Sequence, residues 1–164
     1  MAQRESSRRT KGLREEIRQS KPFDSPAQEA ILGLYRTSDM LRRQFSQIVE
    51  PHGISLQQYN VLRILRGAGK AGMPTLDIAD RMIERTPGVT RLLDKLEAKR
   101  LVRRERCSED RRQVLCWITE SALRLLTELD KPLAAAGVKS MQPLDEDEQR
   151  ALIRALGTIR EHLA

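Results

Sequence analysis

The chain has 164 residues, the length of a single domain, and its 39% apolar and 32% charged residues argue against wholesale disorder. Its 30 lysines and arginines outnumber its 23 acidic residues, so the net charge of +7 favours a polyanionic partner such as nucleic acid or a membrane surface. Aromatic residues, at 3%, argue against a β-sandwich, and no apolar run indicates a membrane span or a secretory signal.

Residues 1–24 are predicted to form a basic N-terminal arm, outside a single domain that covers residues 25–164. The first 21 residues hold seven basic and three acidic side chains. Leu13 and Ile17 are four residues apart, which permits a short helix. One interpretation of the arm is a solvated tail. The alternative is an arm that contacts DNA phosphates or a partner subunit.

Two capping signals predict the first long helices. Ser25, with proline next and Gln28 three residues on, predicts a helix that ends near Pro51. This helix carries an apolar stripe at helical spacing: Ile31, Leu34, Leu41, Phe45 and Ile48. Ser55 and Gln58 form a second capping box, and the helix that follows is apolar on most sides, so we expect it to be buried.

The next segment predicts a helix-turn-helix. Thr75 is expected to cap a short helix whose apolar set is Leu76, Ile78, Ala79 and Met82. Thr86 and Pro87 are expected to start a second helix as its cap and first residue. That helix has one apolar face at i, i+3, i+4 and i+7, formed by Val89, Leu92, Leu93 and Leu96. Its other face carries Thr90, Arg91, Asp94 and Lys95.

A β-hairpin and two helices complete the chain. Residues 101–106 and 114–118 are β-prone and flank a charged turn, so they predict a hairpin that would be a wing after the helix-turn-helix. Thr119 is expected to cap a helix that Pro132 kinks or divides. Asp145 is expected to start the last helix, where Leu152, Leu156, Ile159 and Leu163 recur at helical spacing.

The excess positive charge is concentrated on the second short helix and the hairpin. Residues 81–112 hold eleven basic and six acidic residues, which a solvated basic surface alone does not explain. A helix fits the major groove of DNA, and arginine suits a narrow minor groove. Thr86, Gly88 and Thr90 are small enough to permit close approach to the bases, and Arg91 is long enough to reach a guanine.

Two stretches resemble the MarR family of bacterial winged-helix regulators. Residues 87–102, PGVTRLLDKLEAKRLV, are similar to its recognition helix and first wing strand. Residues 110–119, DRRQVLCWIT, resemble its wing signature, an Asp-x-Arg followed by a strand and a threonine. The resemblance covers residues 25–164. It departs at Arg100, where a glycine often closes the recognition helix, and at Trp117, which is bulkier than expected.

The resemblance implies a mainly α-helical fold with a small β-hairpin wing. Residues 55–119 would form the winged helix-turn-helix, and residues 25–50 and 120–164 the dimerisation helices. It also implies that Arg112 enters the minor groove with Asp110 as its orienting partner. The complete predicted DNA-binding set is Thr75, Thr86, Gly88, Thr90, Arg91, Lys95, Asp110, Arg111 and Arg112.

By the same resemblance, the protein is expected to be a cytoplasmic homodimer that binds a pseudo-palindromic operator in double-stranded DNA. It would act as a repressor released by a small-molecule inducer or by oxidation. The alternative is an architectural or accessory DNA-binding protein without an inducer. The candidate residues for an inducer pocket are Tyr35, Met40, Phe45, His52 and Tyr59.

No catalytic, metal or cofactor site is predicted. The chain lacks GxSxG, GxxxxGK[ST], GxGxxG and HExxH, and its two cysteines and two histidines lack the paired spacing of a zinc site. Cys107 and Cys116 flank the wing tip and are expected to lie nearly opposite each other. A redox switch in the wing is therefore an alternative to two reduced thiols.

Overall fold

The computed structural model of the protein describes residues 12–84, 88–107 and 113–164. The chain divides into two compact units between Leu41 and Arg42, within a long helix. No helix in the described ranges is both long and apolar enough to cross a membrane.

Two helices begin the described chain. α1 spans Leu13–Glu16, in line with the short helix that the spacing of Leu13 and Ile17 permits, and α2 spans Pro26–Val49. The predicted cap of α2 is confirmed, because the backbone N–H of Gln28 donates to Ser25 Oγ at 3.2 Å. Such a cap satisfies one of the N–H groups that a helix start leaves without a partner.

α3, Leu56–Ala68, lies in the centre of the second unit. Its capping box is formed as predicted: Ser55 Oγ accepts from the Gln58 N–H at 3.2 Å, and the Gln58 side chain accepts from the Ser55 N–H at 3.0 Å. The helix buries Val61, Leu62 and Leu65 completely or nearly so. A short 3-10 turn, Gly69–Ala71, follows it.

The two short helices are α4, Thr75–Arg81, and α5, Val89–Ala98. The apolar face of α5 is confirmed, because Val89, Leu93 and Leu96 are buried and Leu92 packs against the core. Two details of α4 were predicted wrongly. Pro74 occupies its N-cap position, and Thr75 makes no cap because its hydroxyl bonds to the sheet instead. Leu76, expected in the apolar set, is 76% exposed because it lies on the outer side of the first turn.

The predicted hairpin is confirmed within a three-stranded antiparallel sheet. Strands β1, Met73–Pro74, β2, Val102–Arg106, and β3, Val114–Ile118, have the order β1-β3-β2. Val102 pairs with Ile118 at one end of the hairpin and Arg106 with Val114 at the other. The sequence did not predict β1, since a strand of two residues has no periodicity to detect.

Two long helices end the chain. α6, Glu120–Met141, begins at Thr119, whose side chain accepts from the Ala122 N–H at 3.3 Å, as predicted. It runs continuously through Pro132, so the expected division of this helix is wrong. Leu129 and Leu133 are buried before and after the proline, and this packing outweighs the roughly 3 kcal/mol that an interior proline costs.

α7, Glu146–Leu163, starts as predicted. Asp145 accepts from the Glu148 N–H at 2.9 Å, and Glu148 accepts in return from the Asp145 N–H at 2.9 Å. No residue of α7 is buried. The buried core of the second unit therefore comes from the other elements: Val49, Ile54, Val61, Leu62, Leu65, Met73, Ile78, Met82, Val89, Leu93, Leu96, Val102, Cys116, Ala122, Leu126, Leu129 and Leu133.

Several helices expose large apolar side chains. On α2 they are Ile31, Leu34, Tyr35 and Met40, and on α6 there is Val138. On α7 they are Leu152, Ile153, Ile159 and Leu163. In the predicted stripe of α2, Ile31 and Leu34 are exposed and the other three residues are partly buried, whereas three of the four residues in the predicted stripe of α7 are exposed. Exposed apolar surface of this extent on adjacent turns indicates an interaction surface.

Candidate nucleic-acid interface

α5 presents a polar face to solvent, directly opposite its buried leucines. Thr90, Arg91 and Lys95 are all exposed, as the helical periodicity predicted. Within the described part of the chain, neither Arg91 nor Lys95 forms an ion pair with an acidic side chain. Both cations are therefore available to an external anion.

Glycine starts α5, and an arginine in an unusual conformation ends it. Gly88 has a φ of 123° at the N-cap, so the helix begins after it and the expected start at Pro87 is wrong. Arg100 has a φ of 57°, in the left-handed region. Its N–H donates to the Glu97 carbonyl, and the Leu101 N–H to the Leu96 carbonyl, at 2.8 and 2.9 Å. These two bonds form a Schellman motif, which places Arg100 where glycine is normally preferred.

The two carboxylates on the exposed side of α5 are held by one arginine of β2. Arg104 donates to Glu97 at 2.9 Å through Nε, and through one terminal nitrogen to Glu97 and Asp94 at 2.6 Å each. The pKa of Arg104 is raised above its usual value, mainly by the hydrogen bond to Glu97, with a smaller contribution from Asp94. This arginine offsets one of the two negative charges on the helix and joins the helix to the hairpin.

The hairpin extends beyond its strands towards the wing tip. The Cys107 N–H donates to the Gln113 carbonyl at 3.0 Å, so the ladder continues one pair past Arg106. Residues 108–112 connect this pair. The predicted DNA-binding residues Asp110, Arg111 and Arg112, together with Thr86 before α5, lie outside the described residues.

Thr75 is the first residue of α4 and contacts β3 at the end of the strand nearest the wing tip. Its hydroxyl donates to the Val114 carbonyl at 3.3 Å and is 3.7 Å from Cys116 Sγ. The hydroxyl therefore joins the first short helix to β3. Its assignment to the DNA-binding set stays a prediction.

The two cysteines do not face each other, so that prediction is wrong. Cys116 pairs with Arg104, whereas Cys107 lies opposite Gln113. The offset is three residues, about 10 Å along the strand, and an odd offset sends the two side chains to opposite faces. Cys116 is fully buried, and this burial raises the pKa of its thiol, partly offset by the Thr75 hydrogen bond. A disulfide between them would require the hairpin to change register.

The candidate inducer residues fall in both units. Tyr35 and Met40 lie in the first unit and are 72% and 52% exposed. In the second unit, Phe45 is partly buried against the core, and His52 Nδ1 lies 3.9 Å from a Glu128 carboxylate oxygen. Tyr59 also packs against the core and is covered by the Arg63 guanidinium. Their role stays a prediction.

Sequence reasoning missed two residues that organise this surface. Arg104 was counted with the basic excess, because no sequence pattern shows that it pairs with Asp94 and Glu97. Trp117 was noted for its size, but its partners were not predicted. The described residues contain no group of three or more histidine, cysteine or acidic side chains that could hold a metal ion.

Comparison with known proteins identifies relatives of this chain. The model of the MarR family matches residues 54–114. The transcriptional regulator TtmR of Methylorubrum extorquens is 30% identical over 131 residues, which cover 79% of this chain and 65% of that protein. The uncharacterised regulator YfiV of Bacillus subtilis is 30% identical over 110 residues, which cover 67% of this chain and 68% of that protein. The chain thus spans just under two thirds of the length of TtmR.

Solved structures give the same result. A MarR transcription factor from Planctomyces limnophilus is 40% identical, with 84% of this chain and 99% of that chain covered and a TM-score of 0.65. The S. aureus protein MepR, solved as a complex with DNA, is 25% identical, with 79% and 95% covered and a TM-score of 0.72. Both likenesses cover most of this chain and support the mainly helical winged-helix fold.

Proposed function

The chain belongs to the MarR family of transcriptional regulators, and we propose that it binds a specific double-stranded DNA site as a homodimer. The proposal includes repression of transcription, release by a small-molecule inducer and a cytoplasmic location. It includes no catalytic activity. One observation carries the proposal: α5 exposes Thr90, Arg91 and Lys95, while the two acids beside them are paired with Arg104.

The charge on this face suits a helix that enters the major groove. A DNA duplex surrounds such a helix with phosphates, so uncompensated carboxylates there would oppose binding. Arg91 can donate two hydrogen bonds to a guanine edge, and Thr90 can contact a base or a thymine methyl group. The left-handed residue Arg100 then turns the chain from α5 into the hairpin.

The homodimer is supported by the exposed apolar residues of α2 and α7. A single copy leaves Ile31, Leu34, Leu152 and Ile159 more than a third exposed. A second copy of the chain would cover such faces symmetrically. A two-fold dimer also presents two α5 helices to DNA, which requires a pseudo-palindromic site with half-sites about one helical turn apart.

The test is selection of bound fragments from genomic DNA, followed by affinity measurements on one selected site and on random DNA. Arg91→Ala is expected to weaken specific binding by about tenfold and non-specific binding much less, because a bidentate arginine–guanine contact contributes ~1–3 kcal/mol of discrimination. Arg63→Ala, on α3, is the matched control with the same loss of charge. Equal losses on both DNAs would show that Arg91 contacts only phosphate.

Arg111→Ala and Arg112→Ala test the predicted wing contact. We expect the Arg112 variant to lose more affinity, because it would vacate an electronegative minor groove. The Arg111 variant should lose at most one phosphate contact. This loss would lower the slope of the logarithm of affinity against the logarithm of salt concentration by about one unit. A larger loss of affinity from Arg111→Ala than from Arg112→Ala would contradict the assignment of Arg112 to the minor groove, which is taken from the resemblance.

One measurement separates this proposal from the alternative of an architectural protein without an inducer, and a second tests the homodimer. An architectural protein would bind random and selected DNA with similar affinity and a steep salt dependence. A folded monomer at micromolar concentration in light scattering would contradict the homodimer.

A further inference from the structure

Trp117 is the only tryptophan of the chain, and it lies on the face of β3 that points away from Cys116 and the core. It pairs in register with Arg103, whose guanidinium carbon is 4.5 Å from the centre of the indole ring. Arg103 also forms an ion pair with Glu105 on the same strand face. The indole is therefore fixed from the side of β2.

On its other side, the indole closes over the turn that precedes β1. Its Nε1–H donates to the Lys70 carbonyl at 3.3 Å. Gly72 lies directly beneath it with a φ of 71°, and a Cβ there would lie 2.5 Å from Trp117 Nε1 and 2.6 Å from Cε2. Only glycine permits both this backbone conformation and this approach. The contact therefore needs a tryptophan and a glycine together.

This contact supplements a short strand pairing. β1 contributes only two residues to the sheet, Met73 opposite Cys116 and Pro74 opposite Leu115, and a proline has no N–H to donate. Cys116 and Thr75 join the hairpin to the core on its inner face. Trp117 joins it to the 3-10 turn Gly69–Ala71 on its outer face. β3 is thus held on both of its faces.

We propose that Trp117 is a positioning residue for DNA binding, which fixes the direction of the β2–β3 hairpin relative to α5 by its contact with Gly72 and Lys70. This inference rests on the proposed function, because the direction of a hairpin matters only when its tip has a target. A fixed hairpin meets the DNA without first being ordered, so the ordering cost of binding is reduced.

The test compares four variants with the wild-type protein on the selected DNA site. Trp117→Ala removes the contact, and Gly72→Ala displaces the ring from the opposite side. Trp117→Phe keeps a ring over Gly72 and loses the hydrogen bond. Gly67→Ala is the matched control in the same segment, because a Cβ at that position meets nothing within 4 Å.

Hydroxyl-radical footprints and binding titrations are the main readouts. Trp117→Ala and Gly72→Ala should lose protection at the flanks of the site, where the hairpins reach, and bind about tenfold more weakly. Protection at the bases read by α5 should remain. Trp117→Phe should fall between these variants and the wild type, and Gly67→Ala should match the wild type. Unchanged flanking protection in Trp117→Ala would overturn the proposal.

Hydrogen exchange without DNA makes the two hypotheses separable. Trp117→Ala and Gly72→Ala should accelerate exchange at the amides of β3 and leave those of α5 unchanged. If the wild type binds no specific DNA site, the proposed function fails, whatever the exchange rates are. If the wild type binds and exchange accelerates without a change in the footprint, Trp117 is only structural and the inference fails. If Trp117→Ala does not fold, as judged by circular dichroism, Trp117→Phe and Gly72→Ala decide.

Discussion

Removing Arg104 tests whether the acids of α5 must be neutralised for the chain to bind DNA. In the folded protein Arg104 is only 20% exposed and holds Glu97 and Asp94 by three hydrogen bonds. Arg104→Ala would leave two carboxylates on the exposed side of the helix, beside Arg91 and Lys95. The variant therefore changes the charge of the proposed interface without removing any of its predicted contacts.

The expected effects on stability and on binding are separable. Both carboxylates are about half exposed and regain water, so the loss of stability should be only about 1–2 kcal/mol. For binding, a carboxylate and a phosphate ~10 Å apart repel by about 0.4 kcal/mol in water before screening. Arg104→Ala removes one positive charge that faces several phosphates, so it should cost roughly 1 kcal/mol and raise the dissociation constant about fivefold.

The assay is a binding titration at several salt concentrations on one specific site. Arg106→Ala is the control, because it removes the same charge from an exposed position of β2 that forms no ion pair within the described residues. Adding Asp94→Asn and Glu97→Gln to Arg104→Ala should restore most of the affinity, although not the stability. A triple variant that binds no better than Arg104→Ala would refute the electrostatic reasoning.

Three other predictions concern stability and reactivity. Arg100→Gly should raise the free energy of unfolding by about 1 kcal/mol in urea titrations, because it relieves a left-handed conformation, whereas Arg100→Ala, with the same loss of charge, should not. A thiol reagent should modify Cys107 in the native protein and Cys116 only after unfolding, and oxidant should form no intramolecular disulfide by mass spectrometry. The Arg66 guanidinium lowers the pKa of Asp130, so their pair stabilises the fold above the unfolded pKa of about 4 and is lost as pH falls through the lower folded pKa. Asp130→Asn should make the free energy of unfolding fall less steeply as the pH is lowered below about 4. An unchanged pH dependence would show that other carboxyl groups cause it.

The sequence predicted well those features that depend on a few neighbouring residues. Ser25, Ser55, Thr119 and Asp145 all cap helices as expected, because a capping hydroxyl or carboxylate acts on N–H groups within three residues. The buried and exposed faces of α5 followed from helical periodicity for the same reason. The fold class then followed from the order of the elements and from the family resemblance.

Features that depend on tertiary pairing were predicted poorly. The positions of Cys107 and Cys116 required the register of the hairpin, which the sequence of the turn left open. Pro132 was expected to kink or divide a helix, and the division does not occur; the gain from burying leucines on both sides could not be judged without the core. The cap expected from Thr75 failed because the hydroxyl finds a carbonyl of β3, 39 residues away in sequence.

Residues 81–112 hold more basic than acidic side chains, but some of these basic side chains are already paired within the fold and are not available to DNA. Arg104 is committed to two acids of α5, and Arg103 to Glu105 and the Trp117 ring. Neither side chain is therefore free to leave its partners for a phosphate at no cost. The arginines that hold the interface together and those that would bind DNA are different residues, although both contribute equally to the charge count. The structure therefore separates Arg103 and Arg104, which are held by partners within the fold, from Arg91, for which we propose a contact with DNA.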